Sequence, residues 1–236
     1  MKRSEVFTGV WIGTGLILGL MGVLVFLPGL IPGMAVSIID ETVYWLLARA
    51  GGFVAYILLW VSVVFGLLLT SRTAKMWPGV RRANVIHQHI SLLALGYTFF
   101  HALVLLGDQY IGFSVSSILV PFFSPYEPAA VGLGQTGAWL ILLIVLTSTY
   151  RRRISPRMWR MVHYASFVTF ILVLVHAFLA GTESQELWAA AFYAFTALVI
   201  YALTIYRVLV RMVSAKGKRY GGKQETHPGQ TASGGG

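Results

Sequence analysis

The chain contains no cysteine. That absence excludes disulfides, zinc–thiolate sites, iron–sulfur ligation and c-type haem attachment, which needs a Cys-x-x-Cys-His run. Charge is nearly as scarce. Only 11% of the 236 residues are charged, while 57% are hydrophobic; soluble domains carry about 25% charged residues. Too little polar surface remains to cover a water-soluble core, so the composition suits lipid as solvent. Acids are the rarest charges, eight against 18 bases, for a net charge of +10. The bases stand in short runs between apolar stretches. That is the pattern of cytoplasmic membrane loops, so no nucleic-acid partner is expected.

A bilayer core needs about 20 mostly apolar residues per helix. Six stretches qualify, at 6–27, 50–70, 85–106, 129–150, 161–181 and 187–210. The first is read as a retained helix, being too long for a signal-peptide apolar region and lacking a small-x-small cleavage site. Gly132, Gly134 and Gly137 weaken the start of the fourth. The expected fold is an all-α integral membrane protein, a six-transmembrane-helix bundle over 1–212. A basic tail over 213–236, rich in Gly, Lys and Ser, is expected to be disordered. His227 lies in that tail and is read as solvated.

The charges set an orientation. With the N-terminus inside, the inner loops hold Arg72, Lys75, Arg81, Arg82, Arg151, Arg152, Arg153, Arg157 and Arg160, and the tail begins with Arg211. Arg49 is the one base of the 18 left outside, while Asp40, Glu41, Asp108, Glu127, Glu183 and Glu186 all fall there. Both termini are therefore expected in the cytoplasm. Of the outer segments, 30–49 reads as a short amphipathic surface helix. Segment 107–128 carries Pro121, Pro125 and Pro128 and reads as an irregular lid.

With cysteine gone, histidine is the principal metal-ligand candidate, and an intramembrane histidine is costly enough to suggest function. His87 and His101 lie 14 residues apart on the third span, His163 and His176 lie 13 apart on the fifth. At 1.5 Å per residue each pair is separated by about 20 Å along its helix. Both spans run from inside to outside. His87 and His163 thus share the inner depth, and His101 and His176 the outer. Two bis-histidine haem sites follow, one per leaflet: two haem b, the inner on His87 with His163, the outer on His101 with His176. Fourteen residues return to within about 40° of the same face; thirteen leave about 140°, which an ideal fifth helix does not reconcile. His89, about 200° from His87 around the helix, stands as the alternative inner ligand. Its other reading is a hydrogen bond to a neighbour or to a propionate. A zinc ion needs four ligands converging at about 2 Å, and a proton relay needs carboxylates that the spans lack.

Around these histidines the chain resembles the ferric-reductase-like transmembrane domain family, shared by NADPH oxidases, ferric reductases and the haem subunit of bacterial methionine sulfoxide reductase systems. The resemblance covers about 49–184 and is carried by ARAGGFVAYILLWVSVVFGLLLTSR, HQHISLLALGYTFFHALVLLGD, LVPFFSPYEPAAVGLG and WRMVHYASFVTFILVLVHAFLAGTES. It implies two haem b between the third and fifth spans at His87, His101, His163 and His176, with the 13-residue spacing tolerated. It further implies electrons entering from the cytoplasmic side and leaving outside, in a bacterial cytoplasmic (inner) membrane. Glu183 departs from it, standing in Gly-Thr-Glu-Ser where close bacterial relatives lead one to expect Asp. Many members continue into a flavin- and NAD(P)H-binding domain. No strand followed by a Gly-rich phosphate loop occurs here, so no flavin or NAD(P)H site is expected on this chain. The expected partners are lipid, a separate electron-donor protein or a quinol, and an outside electron acceptor.

Haem propionates call for cationic partners. Arg82 and Arg160 precede the inner histidines and are candidates there; ordinary positive-inside anchoring also accounts for them. Arg49 is the outer candidate. Tyr97, Phe99, Phe100 and Phe170 lie where they would flank a haem or simply pack the core. The expected function is a diheme b-type membrane cytochrome, an electron-transfer subunit of a membrane oxidoreductase by its chemistry; a non-redox transporter or assembly scaffold is the competing reading.

Overall fold

The computed structural model describes residues 41–70, 79–108 and 110–224, without the side chains of 41, 42, 70 and 214–224. The expected first span at 6–27, together with Arg72, Lys75 and His227, lies outside the described residues. Within them the long elements are all helices: α1 (Glu41–Thr70), α2 (Val80–Val104), α3 (Val115–Leu119), α4 (Pro128–Thr149), α5 (Pro156–Ala180) and α6 (Leu187–Gln224). Single turns of 3-10 helix follow α2 (Leu105–Gly107) and α4 (Arg151–Arg153). Five helices, all but α3, are long and apolar enough to cross a membrane.

Several expectations are corrected in detail. From residue 41 onward the expected surface helix is the beginning of α1, which runs unbroken through Gly51 and Gly52. Extending an existing helix adds a hydrogen bond per residue without a new nucleus, which outweighs the weak propensity of two glycines. The same cooperativity carries α6 past Val213, where disorder was expected, to Gln224. α5 starts at Pro156, five residues earlier than its apolar stretch. Ser155 caps it by accepting the Met158 N–H at 3.3 Å, and proline at the first helical position lacks the N–H that would go unpaired there. Gly132, Gly134 and Gly137 do not interrupt α4.

α1 is the hub. It packs most closely on α2 and also touches α5 and α6, while α4 packs on α5 and touches α2. Tyr56, Leu59, Val63 and Leu67 form its buried stripe at helical spacing. They meet Ala94 of α2, Ile141 of α4, Phe170 of α5 and Ile200 of α6. The Tyr56 hydroxyl is buried against Thr196 Oγ1 at 2.5 Å, so the hub is joined to α6 by a polar contact inside an apolar core. The outer faces are apolar too: Leu143, Leu146, Ile171, Leu179, Leu198 and Tyr201 are all exposed. Only 11% of the most apolar window of α5 is buried. Helices of such hydropathy with so little burial need a nonaqueous solvent on their outer faces. Where backbones come close, the buried residues are small, as at Ala48, Ala55, Ala94, Ala130 and Gly137, the usual way helices approach one another in lipid.

Candidate haem-binding histidine pairs

α2 and α5 bring the four histidines together in twos. The rings of His87 and His163 have centroids 6.1 Å apart with planes at 81°. Those of His101 and His176 also stand 6.1 Å apart, with planes at 66°. The first pair lies toward the end bearing Arg81, Arg82 and Arg151–Arg153, hereafter the basic end. The second lies toward Asp108, Glu183 and Glu186, the acidic end. Among the described residues no three or more histidine or acidic side chains converge on a point.

Three of the four imidazoles are fixed by their neighbours. The Nδ1–H of His87 donates to the Ser62 carbonyl at 2.9 Å, that of His101 to the Ala48 carbonyl at 2.7 Å, and that of His176 to the Ala130 carbonyl at 2.9 Å. A carbonyl only accepts, so Nδ1 holds the proton and Nε2 keeps its lone pair for a metal. His163 differs. Its Nδ1 is buried without a hydrogen-bond partner, and its ring is stacked on Trp159 one turn earlier, centroids 5.1 Å apart at 22°. Arg207 of α6 pairs with Tyr164 and lies close enough to interact with His163. These different anchorages explain the 13-residue spacing on α5. His176 leans toward α4, whose Ala130 carbonyl holds it, whereas His163 is set by its own helix.

Glycines make room for the rings. A Cβ on Gly52 would lie 2.8 Å from His101 Nδ1, one on Gly134 2.7 Å from His176 Nδ1, and one on Gly66 3.4 Å from the His87 ring. Gly52 and Gly66 are themselves 14 residues apart on α1, matching the spacing of His101 and His87 on the antiparallel α2. The sequence carried this signal, but it becomes meaningful only when α1 and α2 are seen side by side. Trp159 and Arg207 were likewise missed as neighbours of His163.

The other candidates are distributed unevenly. His89 is held on its own helix, its Nδ1–H donating to the Val85 carbonyl at 2.8 Å; the ring opposite His163 is that of His87. Arg49 lines a cavity of about 380 Å³ together with His101 and His176, and pairs there with Glu183. Phe99 also lines that cavity. Arg82 and Arg160 are exposed at the basic end, where anchoring at a membrane surface accounts for them. Phe170 packs in the core, stacked on Tyr56, and Tyr97 packs against Phe100.

The ring spacing is compatible with a metal group held between two imidazoles. A metal–imidazole bond is about 2 Å long, and the ring centre lies roughly 1 Å beyond the ligating nitrogen. Two imidazoles that held one iron between them would therefore stand with centroids about 6 Å apart. Both pairs meet this spacing, and the acidic-end pair opens onto a cavity within the usual small-molecule range of about 300–1,000 Å³.

No curated protein and no solved structure matches the chain. A family model described as a domain of unknown function, DUF8596, matches residues 43–183, a span that takes in both histidine pairs and the glycines facing them. With well over half its length matched, the chain belongs to the DUF8596 family.

Proposed function

We propose that this protein is a diheme b-type membrane cytochrome of ferric-reductase-like character, carrying electrons across a bilayer. The observation that carries the proposal is the recurrence of one geometry at two depths: two imidazole pairs on the same two helices, each with a 6.1 Å centroid spacing. His87 and His163 would hold the group at the basic end, His101 and His176 the one at the acidic end. A haem bound at each pair supplies one-electron chemistry at its iron. The protein's share is placement and environment. The Ser62, Ala48 and Ala130 carbonyls orient three imidazoles and keep their Nε2 lone pairs available. Gly52, Gly66 and Gly134 let the rings sit back against neighbouring helices. The aliphatic and aromatic walls of the bundle exclude water, and Arg49 provides a cation at the acidic-end cavity.

The two sites, about 20 Å apart along α2, divide one long transfer into shorter steps. The basic end faces the cytoplasm on the charge rule, so the reading runs from a cytoplasmic protein or quinol donor to an acceptor outside, in a bacterial inner membrane. The test is optical. Protein purified from haem-replete cells should show a Soret band and an alpha band that sharpens with dithionite, at two haems per chain. Colourless protein would overturn the proposal and favour a transporter or scaffold.

A further inference from the structure

The connection between α2 and α4 has an unusual composition for a loop outside a membrane. Residues 109–126 include no Asp, Glu, Lys or Arg. Yet this segment exposes Tyr110, Val115, Leu119, Val120, Phe122 and Phe123, with Tyr110 at 89% and Phe123 at 63% of full accessibility. A loop in water ordinarily solvates its backbone and shows polar side chains; this one shows large apolar ones.

Many of its backbone groups are met by side chains. Asp108 Oδ1 accepts from the Tyr110 and Ile111 N–H groups. Ser114 and Ser117 cap the short α3 reciprocally. Ser124 accepts from the Tyr126 N–H and donates to the Tyr126 carbonyl. Four more are met by α4. Gln135 donates to the Ser117 and Ile118 carbonyls at 2.6 and 2.9 Å and accepts from the Phe122 N–H at 3.1 Å. One turn on, Trp139 Nε1–H donates to the Leu119 carbonyl at 2.9 Å. Phe122 reaches Gln135 with φ at +67°, a costly conformation for a bulky residue, while its ring fills the space left by Gly132. Irregular backbone held so heavily by internal hydrogen bonds suits a water-poor medium.

We infer that segment 110–126 lies in the bilayer interface at the acidic end, with its apolar side chains in contact with lipid. Continuity with the spans supports lipid as the occupant. Trp139, which holds the segment to α4, is itself exposed on that helix, and tryptophan at the headgroup level is the usual mark of a membrane boundary. The opposite side of the segment, through Phe113, Ser117 and Ile118, lines the cavity containing His101 and His176. It therefore forms a thin wall between that cavity and the lipid. This inference does not rest on the haem reading, since it uses neither the histidines nor any bound group.

The absence of cysteine makes the test direct. Val115→Cys, Val120→Cys and Phe123→Cys in the full chain, reconstituted in phosphatidylcholine nanodiscs, would be labelled with a nitrobenzoxadiazole fluorophore, with Arg152→Cys on the opposite loop as an aqueous reference. Elution as the wild type on size exclusion shows that each variant is folded, and three positions guard against the failure of one. The expected result is blue-shifted emission at the three positions, lost with doxyl-labelled acyl chains and insensitive to iodide, with the reverse at position 152. Iodide quenching equal to the reference would overturn the inference by placing the segment in water. Protection from both quenchers would overturn it too, showing that protein covers the patch.

Discussion

Gly52 stands so close to the His101 imidazole that a methyl group in its place would lie 2.8 Å from Nδ1. The ring cannot retreat easily, because that same Nδ1–H is bonded to the Ala48 carbonyl one turn earlier on α1. Gly52→Ala should therefore push His101 out of register with His176. Gly134→Ala, at 2.7 Å from His176 Nδ1, should do the same from the other side. Gly66 leaves 3.4 Å to His87, so Gly66→Ala asks for a shift of only a few tenths of an ångström. The expected outcome is about one haem per chain by pyridine haemochromogen assay for Gly52→Ala and Gly134→Ala, and close to two for Gly66→Ala. Equal haem content in all three would remove the glycines from the argument.

The two pairs should also separate by substitution. His101→Ala or His176→Ala removes one ring of the acidic-end pair and leaves the basic-end pair intact, so each should yield about half the wild-type haem. His87→Ala or His163→Ala should remove the other half. His89 is held by the Val85 carbonyl, and the ring opposite His163 is that of His87, so His89→Ala should keep full haem content. Loss of haem from His89→Ala with retention in His87→Ala would reverse that assignment.

How these features read from sequence depends on how local they are. The spans and the pairing of histidines by depth follow from apolar runs and residue spacing, both of which act within one helix. The same helical arithmetic favours His87 over His89, and the His87 ring stands opposite His163. The His163–His176 spacing could not be resolved that way, since His176 is turned by a carbonyl on α4, 46 positions away. The glycines are opaque in sequence for a related reason. Gly132, Gly134 and Gly137 look like weak points in an isolated helix, but against α5 and the preceding loop they are the places where His176, Val173 and Phe122 fit. Helix ends were also shifted, because caps and continuity rather than hydropathy decide them.

The two sites are not equivalent, and the difference should appear as a difference in potential. A hydrogen bond from Nδ1–H to a carbonyl makes an imidazole a stronger donor and favours ferric iron. Both acidic-end histidines have such a bond, but at the basic end only His87 does. Arg207 near His163 adds a positive charge that favours the reduced state, whereas at the acidic end the charge of Arg49 is offset by Glu183. The basic-end site should therefore have the higher midpoint, by on the order of 60 mV, which is a tenfold change for a one-electron couple. A redox titration of His176→Ala, which keeps only the basic-end site, should retain the higher-potential component. Retention of the lower one would contradict the assignment.

The Arg49–Glu183 pair joins the beginning of α1 to the turn after α5. Its side chains are 32% and 45% exposed, and such partly solvated pairs contribute only about 0–1 kcal/mol to stability. Its larger effect should be electrostatic, because both residues line the cavity that contains His101 and His176. Glu183→Gln leaves the Arg49 charge unbalanced beside that site and should raise the acidic-end midpoint. Arg49→Ala leaves the Glu183 carboxylate unbalanced and should lower it. The two variants thus shift one potential in opposite directions, while a merely structural role would shift neither, or would move melting temperatures together. Titrating each variant in the His163→Ala background, where only the acidic-end site remains, isolates the relevant component. Midpoints unchanged in both would show that the pair does not act on that site, and that Arg49 reaches no anionic group bound there.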